Sequence, residues 1–134
     1  MFVNDRALLP RHTAAVSALA TALREENGQV LVRPPGFGKT RTAVATMIRL
    51  ARTTHTPLRC LILAPTMLQD VWRREIQAVS DARFAVVGRG KGVKTRKTLD
   101  DAHFVFVSHR MLVSKCEYAL SPAMQWPFII CALM

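Results

Sequence analysis

The fold of this chain is decided by one stretch of sequence, Gln29-Val30-Leu31-Val32-Arg33-Pro34-Pro35-Gly36-Phe37-Gly38-Lys39-Thr40. Its first four residues predict a short apolar strand, and a helical spacing of apolar residues begins at Lys39. A strand that passes through glycines and Lys-Thr into a helix is typical of a phosphate-binding loop, so residues 29–40 are predicted to form a strand and that loop. The complete pattern has glycine where this chain has Arg33, and the alternative is a plain strand-to-helix turn.

The residue types in this loop suit the binding of a nucleoside triphosphate. Gly36 and Gly38 permit backbone angles that a side chain would block, and they let N–H groups approach phosphate oxygens. Lys39 would contact the β- and γ-phosphates, and the Thr40 hydroxyl would hold Mg²⁺. The predicted ATP-binding residues are Pro35, Gly36, Phe37, Gly38, Lys39 and Thr40, with Thr40 as the magnesium ligand.

Helices and strands are predicted to alternate on both sides of the loop. The helical patterns cover residues 10–26, the segment that begins at Lys39, and residues 68–79, while 111–120 predicts a short helix. The apolar runs that predict strands lie at 58–64, 84–87, 104–107 and 128–131, and residues 58–80 form a strand followed by a helix. This alternation predicts an α/β fold over residues 1–134, in which a parallel sheet is flanked by helices in three layers.

Composition and charge narrow the class of protein. Half of the 134 residues are hydrophobic, and 19 Lys and Arg against 9 Asp and Glu give a formal charge of +10, which favours polyanionic partners. The sequence lacks a signal-peptide pattern and an apolar run of about 18 residues, so a soluble intracellular protein of the nucleus or cytoplasm is expected. Cys60 and Cys131 lie in apolar runs and are expected to be buried, reduced thiols.

Three further segments resemble the first RecA-like domain of superfamily 2 helicases, and particularly of the SWI/SNF-type ATPases. Leu61-Ile62-Leu63-Ala64-Pro65-Thr66 and the helix after it are similar to motif Ia, and residues 104–112 resemble motif Ib. Leu9-Pro10-Arg11-His12 resembles the family segment that reads adenine, although the family usually has glutamine at the position of His12. The alternative is that His12 is merely a polar residue in the first turn of a helix.

This resemblance implies a nucleic-acid partner, expected to be double-stranded DNA. Motifs Ia and Ib contact the nucleic-acid backbone in the family, which implies roles for Pro65, Thr66, Arg73 and Ser108. Residues 89–97 carry five positive charges without an acid, so Lys91 and Lys94 are further candidates for phosphate contacts. For Arg73 and this basic loop, ordinary solvated charge is the alternative, and Trp72 falls on an apolar stripe and is expected in the core.

The catalytic carboxylates of this family have no counterpart in the expected place. Asp100-Asp101-Ala102-His103 looks like an Asp-Glu-Ala-His box, but it precedes a strand, whereas ligand-binding residues belong at the carboxyl ends of parallel strands. An exposed loop is the expected setting for these two aspartates. Residues 126–131 resemble the tryptophan and short apolar strand that directly precede Asp-Glu in the family. In this chain Ala132 and Leu133 stand at the positions of that Asp and Glu. We therefore expect a truncated product without the second RecA-like domain, able at best to bind ATP and Mg²⁺.

Two functions of different classes remain open. The first is the ATP-binding portion of an ATP-dependent helicase or DNA translocase, inactive in hydrolysis as this chain. The second is a non-catalytic nucleic-acid or partner-binding module that retains the scaffold of the phosphate loop. A small P-loop kinase or transferase is disfavoured, because no acceptor site or acid near the phosphates is visible in the sequence.

Overall fold

A computed structural model describes residues 3–87, 96–111 and 126–132. The helices are α1 (Pro10–Glu25), α2 (Lys39–Thr53), α3 (Gln69–Val79) and α4 (Arg96–Asp101). The strands are β1 (Cys60–Ala64), β2 (Phe84–Val87), β3 (Phe104–Ser108) and β4 (Phe128–Cys131). Two single turns of 3-10 helix, Asp5–Ala7 and Thr66–Leu68, precede α1 and α3.

The four strands form one parallel sheet in the order β2-β3-β1-β4. β1 lies between two strands that follow it in the chain, since Cys60 is in register with both Phe104 and Phe128. All five residues of β3 are buried, as are four of the five in β1. Strands that are covered on both faces explain the continuous apolar runs in the sequence and confirm the predicted α/β fold.

Helices cover both faces of the sheet. Alternate residues of β1 point to opposite faces: Ile62 packs with α1, α2 and α3, and Leu61 packs with Leu99 of α4. Trp72 of α3 is 3% exposed and joins the larger cluster, so its predicted place in the core is confirmed. The result is the three-layer arrangement predicted from the sequence.

The strand predicted at 29–32 is absent, and this prediction was wrong. Residues 28–34 are irregular, and Val30 and Val32 are 83% and 76% exposed. Apolar character favours a strand only where the segment can pair with a sheet edge, and the adjacent Pro34 and Pro35 donate no backbone hydrogen bonds. The phosphate loop is therefore entered from an unpaired, exposed segment.

Smaller differences concern single residues and short segments. Asp100 and Asp101 end helix α4 and do not lie in a loop, because residues 96–101 form a helix of 6 residues. Cys60 is buried as expected, and burial raises the pKa of its thiol far above the ordinary value, whereas Cys131 is exposed on β4. Most of the predicted helix at 111–120 lies outside the described residues. Within the described ranges, no helix is long and apolar enough to cross a membrane.

Candidate functional site

The loop that precedes α2 has the backbone geometry predicted for it. Gly36 and Gly38 have φ angles of 80° and 90°, in the left-handed region that residues with a Cβ rarely adopt. Gly38 is the N-cap of α2, and the Thr42 N–H donates to the Gly38 carbonyl at 2.9 Å. The N–H groups ahead of Thr42 have no acceptor inside the helix, so they are directed out of its positive end, where an anion would be stabilised.

Lys39 is exposed and closes the loop on itself. Its Nζ donates to the Arg33 carbonyl at 3.0 Å, which joins the two ends of the loop. Thr40 is the second residue of α2 and is half-buried. An ammonium group on a single backbone carbonyl can exchange that partner for a phosphate oxygen, because a charged acceptor forms the stronger hydrogen bond.

Phe37 in the loop lies beside two cations. The guanidinium groups of Arg11 and Arg33 lie 5.7 and 5.4 Å from the centroid of its ring. Both distances are within the range of a cation–π contact. Arg33 thus has a structural role at the position where the complete loop pattern has glycine, and the two arginines add positive charge beside the loop.

His12 is not merely a polar residue in the first turn of a helix. It does lie in the first turn of α1, but it is only 4% exposed. The Leu9 N–H donates to its Nδ1 at 3.1 Å, and its Nε2–H donates to the Phe37 carbonyl at 2.7 Å. The helix before the loop is therefore bonded directly to the loop, a contact between residues 25 positions apart that no local sequence pattern indicates.

Three of the predicted nucleic-acid contacts meet at the carboxyl edge of the sheet. Pro65 and Thr66 directly follow β1, and Ser108 ends β3 in register with Ala64. Thr66 is exposed, whereas Ser108 is 5% exposed and its Oγ accepts a hydrogen bond from the Met111 N–H at 3.0 Å. Thr66 is accessible for a phosphate contact, and the Ser108 hydroxyl is already used to hold the turn after β3.

The remaining predicted contacts are not gathered at this edge. Arg73 donates to the Asp70 carboxylate at 2.9 Å, and its guanidinium lies 5.4 Å from the ring of Phe84. Since Phe84 begins β2, this contact lies at the amino edge of the sheet. Lys91 and Lys94 lie outside the described residues.

The amino edge of the sheet holds the segment that resembled a catalytic box. The carbonyls of Asp100 and Asp101 accept hydrogen bonds from the side chains of Arg59 and Arg83, and His103 Nδ1 accepts one from the Arg83 N–H at 2.9 Å. Burial, followed by the positive charge of Arg83, lowers the pKa of His103 from its ordinary value. These contacts fasten the end of α4 to the segments that precede β1 and β2.

One support of the site was missed by the sequence analysis. Arg41, in the first turn of α2, donates from Nε to the Glu75 carboxylate of α3 at 2.7 Å and from Nη1 to the Ala7 carbonyl at 3.0 Å. Both partners are 34 positions away in the chain, so the pairing has no local signal. Arg41 holds the amino end of α2 in place beside the loop.

Comparison with protein families gives one match over nearly the whole chain. The family model described as the type III restriction enzyme, res subunit, matches residues 7–131. No curated protein matches the chain at a significant level.

Solved structures with the same fold include an ATPase core and a restriction-modification enzyme. Two structures of the SWI2/SNF2 ATPase core of Sulfolobus solfataricus, one of them in complex with double-stranded DNA, have TM-scores of 0.75 and identities of 19% and 20%. They cover 91% of this chain, which spans 25% and 24% of theirs. A nuclease-deletion mutant of the type ISP restriction-modification enzyme LlaGI, in complex with a DNA substrate mimic, has a TM-score of 0.71 and 16% identity over 92% of this chain and 15% of its own. At such identities the likeness shows the fold, and the chain spans a quarter or less of these structures.

Proposed function

The chain belongs to the family of the type III restriction enzyme res subunit, and on that premise we propose that it is the ATP-binding portion of an ATP-dependent DNA translocase or helicase. Its fold is part of the first RecA-like domain of a superfamily 2 helicase, which supports this assignment. Domains of this kind use a nucleoside triphosphate and Mg²⁺, and the proposal concerns which residues of this chain bind them.

The geometry of the phosphate loop carries the proposal. A Cβ added at Gly36 would meet no atom within 4 Å, so the loop has open space on that side for phosphate oxygens. The N–H groups at the start of α2 and the ammonium of Lys39 could bind an anion without loss of a buried contact, because the hydrogen bond of Lys39 to the Arg33 carbonyl is exposed. Thr40 follows directly and offers a hydroxyl to the Mg²⁺ that accompanies the triphosphate.

The residues at the carboxyl edge of the sheet fit ATP binding better than ATP hydrolysis. Among the described residues, those that directly follow β1, β3 and β4 are Pro65, His109 and Ala132, and none of them is acidic. Phosphoryl transfer to water needs a carboxylate to hold the metal ion and another group to orient the water. This chain supplies binding and charge stabilisation by Lys39, and we propose that its own hydrolysis is negligible.

Nucleic acid is the proposed partner of the carboxyl edge. The exposed residue Thr66 lies there at the start of the turn that leads into α3, and the chain carries a formal charge of +10. Backbone amides and hydroxyls at the start of a helix contact phosphates without reading bases. Double-stranded DNA is the form we propose, because the SWI2/SNF2 core with the same fold was solved in complex with it.

The proposal is tested by titrating the chain with Mg²⁺–ATP in a calorimeter. Lys39→Ala should weaken binding by about 10- to 150-fold, because a hydrogen bond to a charged group contributes about 1.5–3 kcal/mol. Arg49→Ala is the matched control, since Arg49 is an exposed cation on the same helix that donates to Ser17 Oγ at 2.8 Å. Equal losses in both variants, or no binding by the original chain, would overturn the assignment.

The second candidate function is a non-catalytic nucleic-acid-binding module. The lack of an acid after the three strands favours it over an active ATPase. It predicts that double-stranded DNA binds with an affinity that falls as salt rises, and that Mg²⁺–ATP produces no heat of binding. The calorimetric titration therefore separates the two candidates directly.

A further inference from the structure

His12 is enclosed by the loop that it contacts. Its ring meets the Phe37 ring edge to face, with the centroids 5.8 Å apart and the planes at 84°. The Nε2 edge of the ring also lies against Gly38, because a Cβ placed on Gly38 would lie 2.6 Å from His12 Nε2, closer than non-bonded atoms approach. Gly38 is therefore required for two reasons, its φ angle of 90° and the imidazole that fills the space of a side chain.

The hydrogen bonds of His12 define its tautomer. A backbone N–H can only donate, so Nδ1, which receives the Leu9 N–H, carries no proton. A carbonyl can only accept, so Nε2, which faces the Phe37 oxygen at 2.7 Å, carries the proton. Both ring nitrogens of the neutral imidazole are thus used inside the protein, and neither is left to form a hydrogen bond with a nucleotide base.

The loop depends on this contact because its upstream side is weakly held. Residues 28–34 form no strand, so the backbone before the loop lacks the ladder of hydrogen bonds that a sheet would provide. The Phe37 carbonyl belongs to the peptide unit that contains the Gly38 N–H, and its bond to His12 fixes the direction of that N–H. A neutral donor on α1 thus sets the orientation of an amide at the anion site.

We propose that His12 is a positioning residue of the phosphate loop and that this side chain does not read the base of the nucleotide. The inference rests on the proposed function, since it concerns the same site. Its consequence is a nucleotide site in which the contribution of His12 is directed at the triphosphate. ATP, GTP and inorganic tripolyphosphate must therefore respond in parallel when His12 is replaced.

Two variants separate the bonds of the two ring nitrogens. In His12→Gln the amide nitrogen reaches the position of Nε2 and keeps the donation to the Phe37 carbonyl. In His12→Asn the shorter side chain accepts from the Leu9 N–H as Nδ1 does, but it does not reach Phe37. The full chain and both variants are titrated with the Mg²⁺ complexes of ATP, GTP and tripolyphosphate.

We expect His12→Gln to retain its affinity for all three ligands within about threefold, and His12→Asn to weaken all three by about tenfold, the effect of one lost hydrogen bond. The ratio of the ATP to the GTP affinity should stay constant across the three proteins. A loss for ATP that spares tripolyphosphate would show that His12 reads adenine and would overturn the inference. Equal affinities of the Gln and Asn variants would overturn it as well.

A second measurement tests the contact without any nucleotide. Gly38→Ala should lower the thermal unfolding midpoint more in the presence of His12 than in a His12→Ala background, since the imidazole occupies the space of the new methyl group. If the original chain binds none of the three ligands, the proposed function falls. The contact between His12 and Gly38 is then upheld by unequal shifts of the midpoint and overturned by equal ones.

Discussion

The valines of the unpaired segment before the phosphate loop should contribute little to the free energy of unfolding, because they are exposed. Replacing valine by alanine removes two methyl groups, each of which contributes about 0.8 kcal/mol when it is fully buried. Val32 is 76% exposed, so Val32→Ala should lower the free energy of unfolding by only about 0.4 kcal/mol. The same substitution at Val30, which is 83% exposed, should have a still smaller effect.

Val107→Ala is the matched control, because it is the same chemical change in the fully buried strand β3. Transfer of the two methyl groups accounts for about 1.6 kcal/mol, and the cavity left between the sheet and its neighbours raises the loss to about 2 kcal/mol or more. Urea unfolding measures both values, and an unchanged slope against urea shows that the unfolded states are comparable. Similar losses for Val32→Ala and Val107→Ala would refute the unpaired segment and would favour a buried strand at 29–32.

Two further predictions concern the Arg41–Glu75 ion pair beside the loop and His103 at the amino edge of the sheet. Glu75→Ala should lower the free energy of unfolding by about 2 kcal/mol, because it removes the carboxylate partner of the half-buried Arg41 guanidinium. Asp70→Ala breaks the exposed ion pair with Arg73 and should lower the free energy of unfolding by less than about 1 kcal/mol. Equal losses for the two variants in urea unfolding would contradict this ranking. Because the pKa of His103 is lowered in the folded chain, the unfolded chain binds the proton first, and stability present at neutral pH should decline as the pH falls below about 6.5. His103→Asn, which can still accept from the Arg83 N–H, should flatten this decline between pH 7.5 and 5, and an unchanged slope would argue against the assignment.

β1 and β3, which the sequence predicted correctly, are buried on both faces, whereas β4 alternates half-buried and exposed residues. Continuous apolar runs such as Leu61 to Ala64 and Phe128 to Cys131 indicate strands locally, so β1 to β4 could be predicted without knowing their partners. The segment at 29–32 has the same apolar character but no pairing edge, and pairing depends on distant residues. The conformation of the loop glycines could be predicted, because their positive φ angles are a requirement of the local backbone.

The contacts that support the candidate site could not be predicted from the sequence, because they join residues that are distant in the chain. His12 and Phe37, or Arg41 and Glu75, contact each other only after the helices have packed. A histidine in a first helical turn and an arginine on a helix surface have ordinary solvated counterparts, so their types alone do not reveal a partner. The carboxyl-edge position of Pro65 and Thr66 was predictable, because it follows from the parallel sheet itself.

The position of β1 in the middle of the sheet has a consequence for how the chain acquires its structure. Both neighbours of β1 are synthesised after it, and all pairings among the four described strands are parallel, so none of these strands forms a hairpin with another. Contacts between residues so far apart in sequence close large loops of chain and form slowly. We expect α1 and α2 to emerge from the ribosome before any strand of the sheet is available for packing. The apolar face of α2 should therefore remain exposed to solvent until β3 has been synthesised.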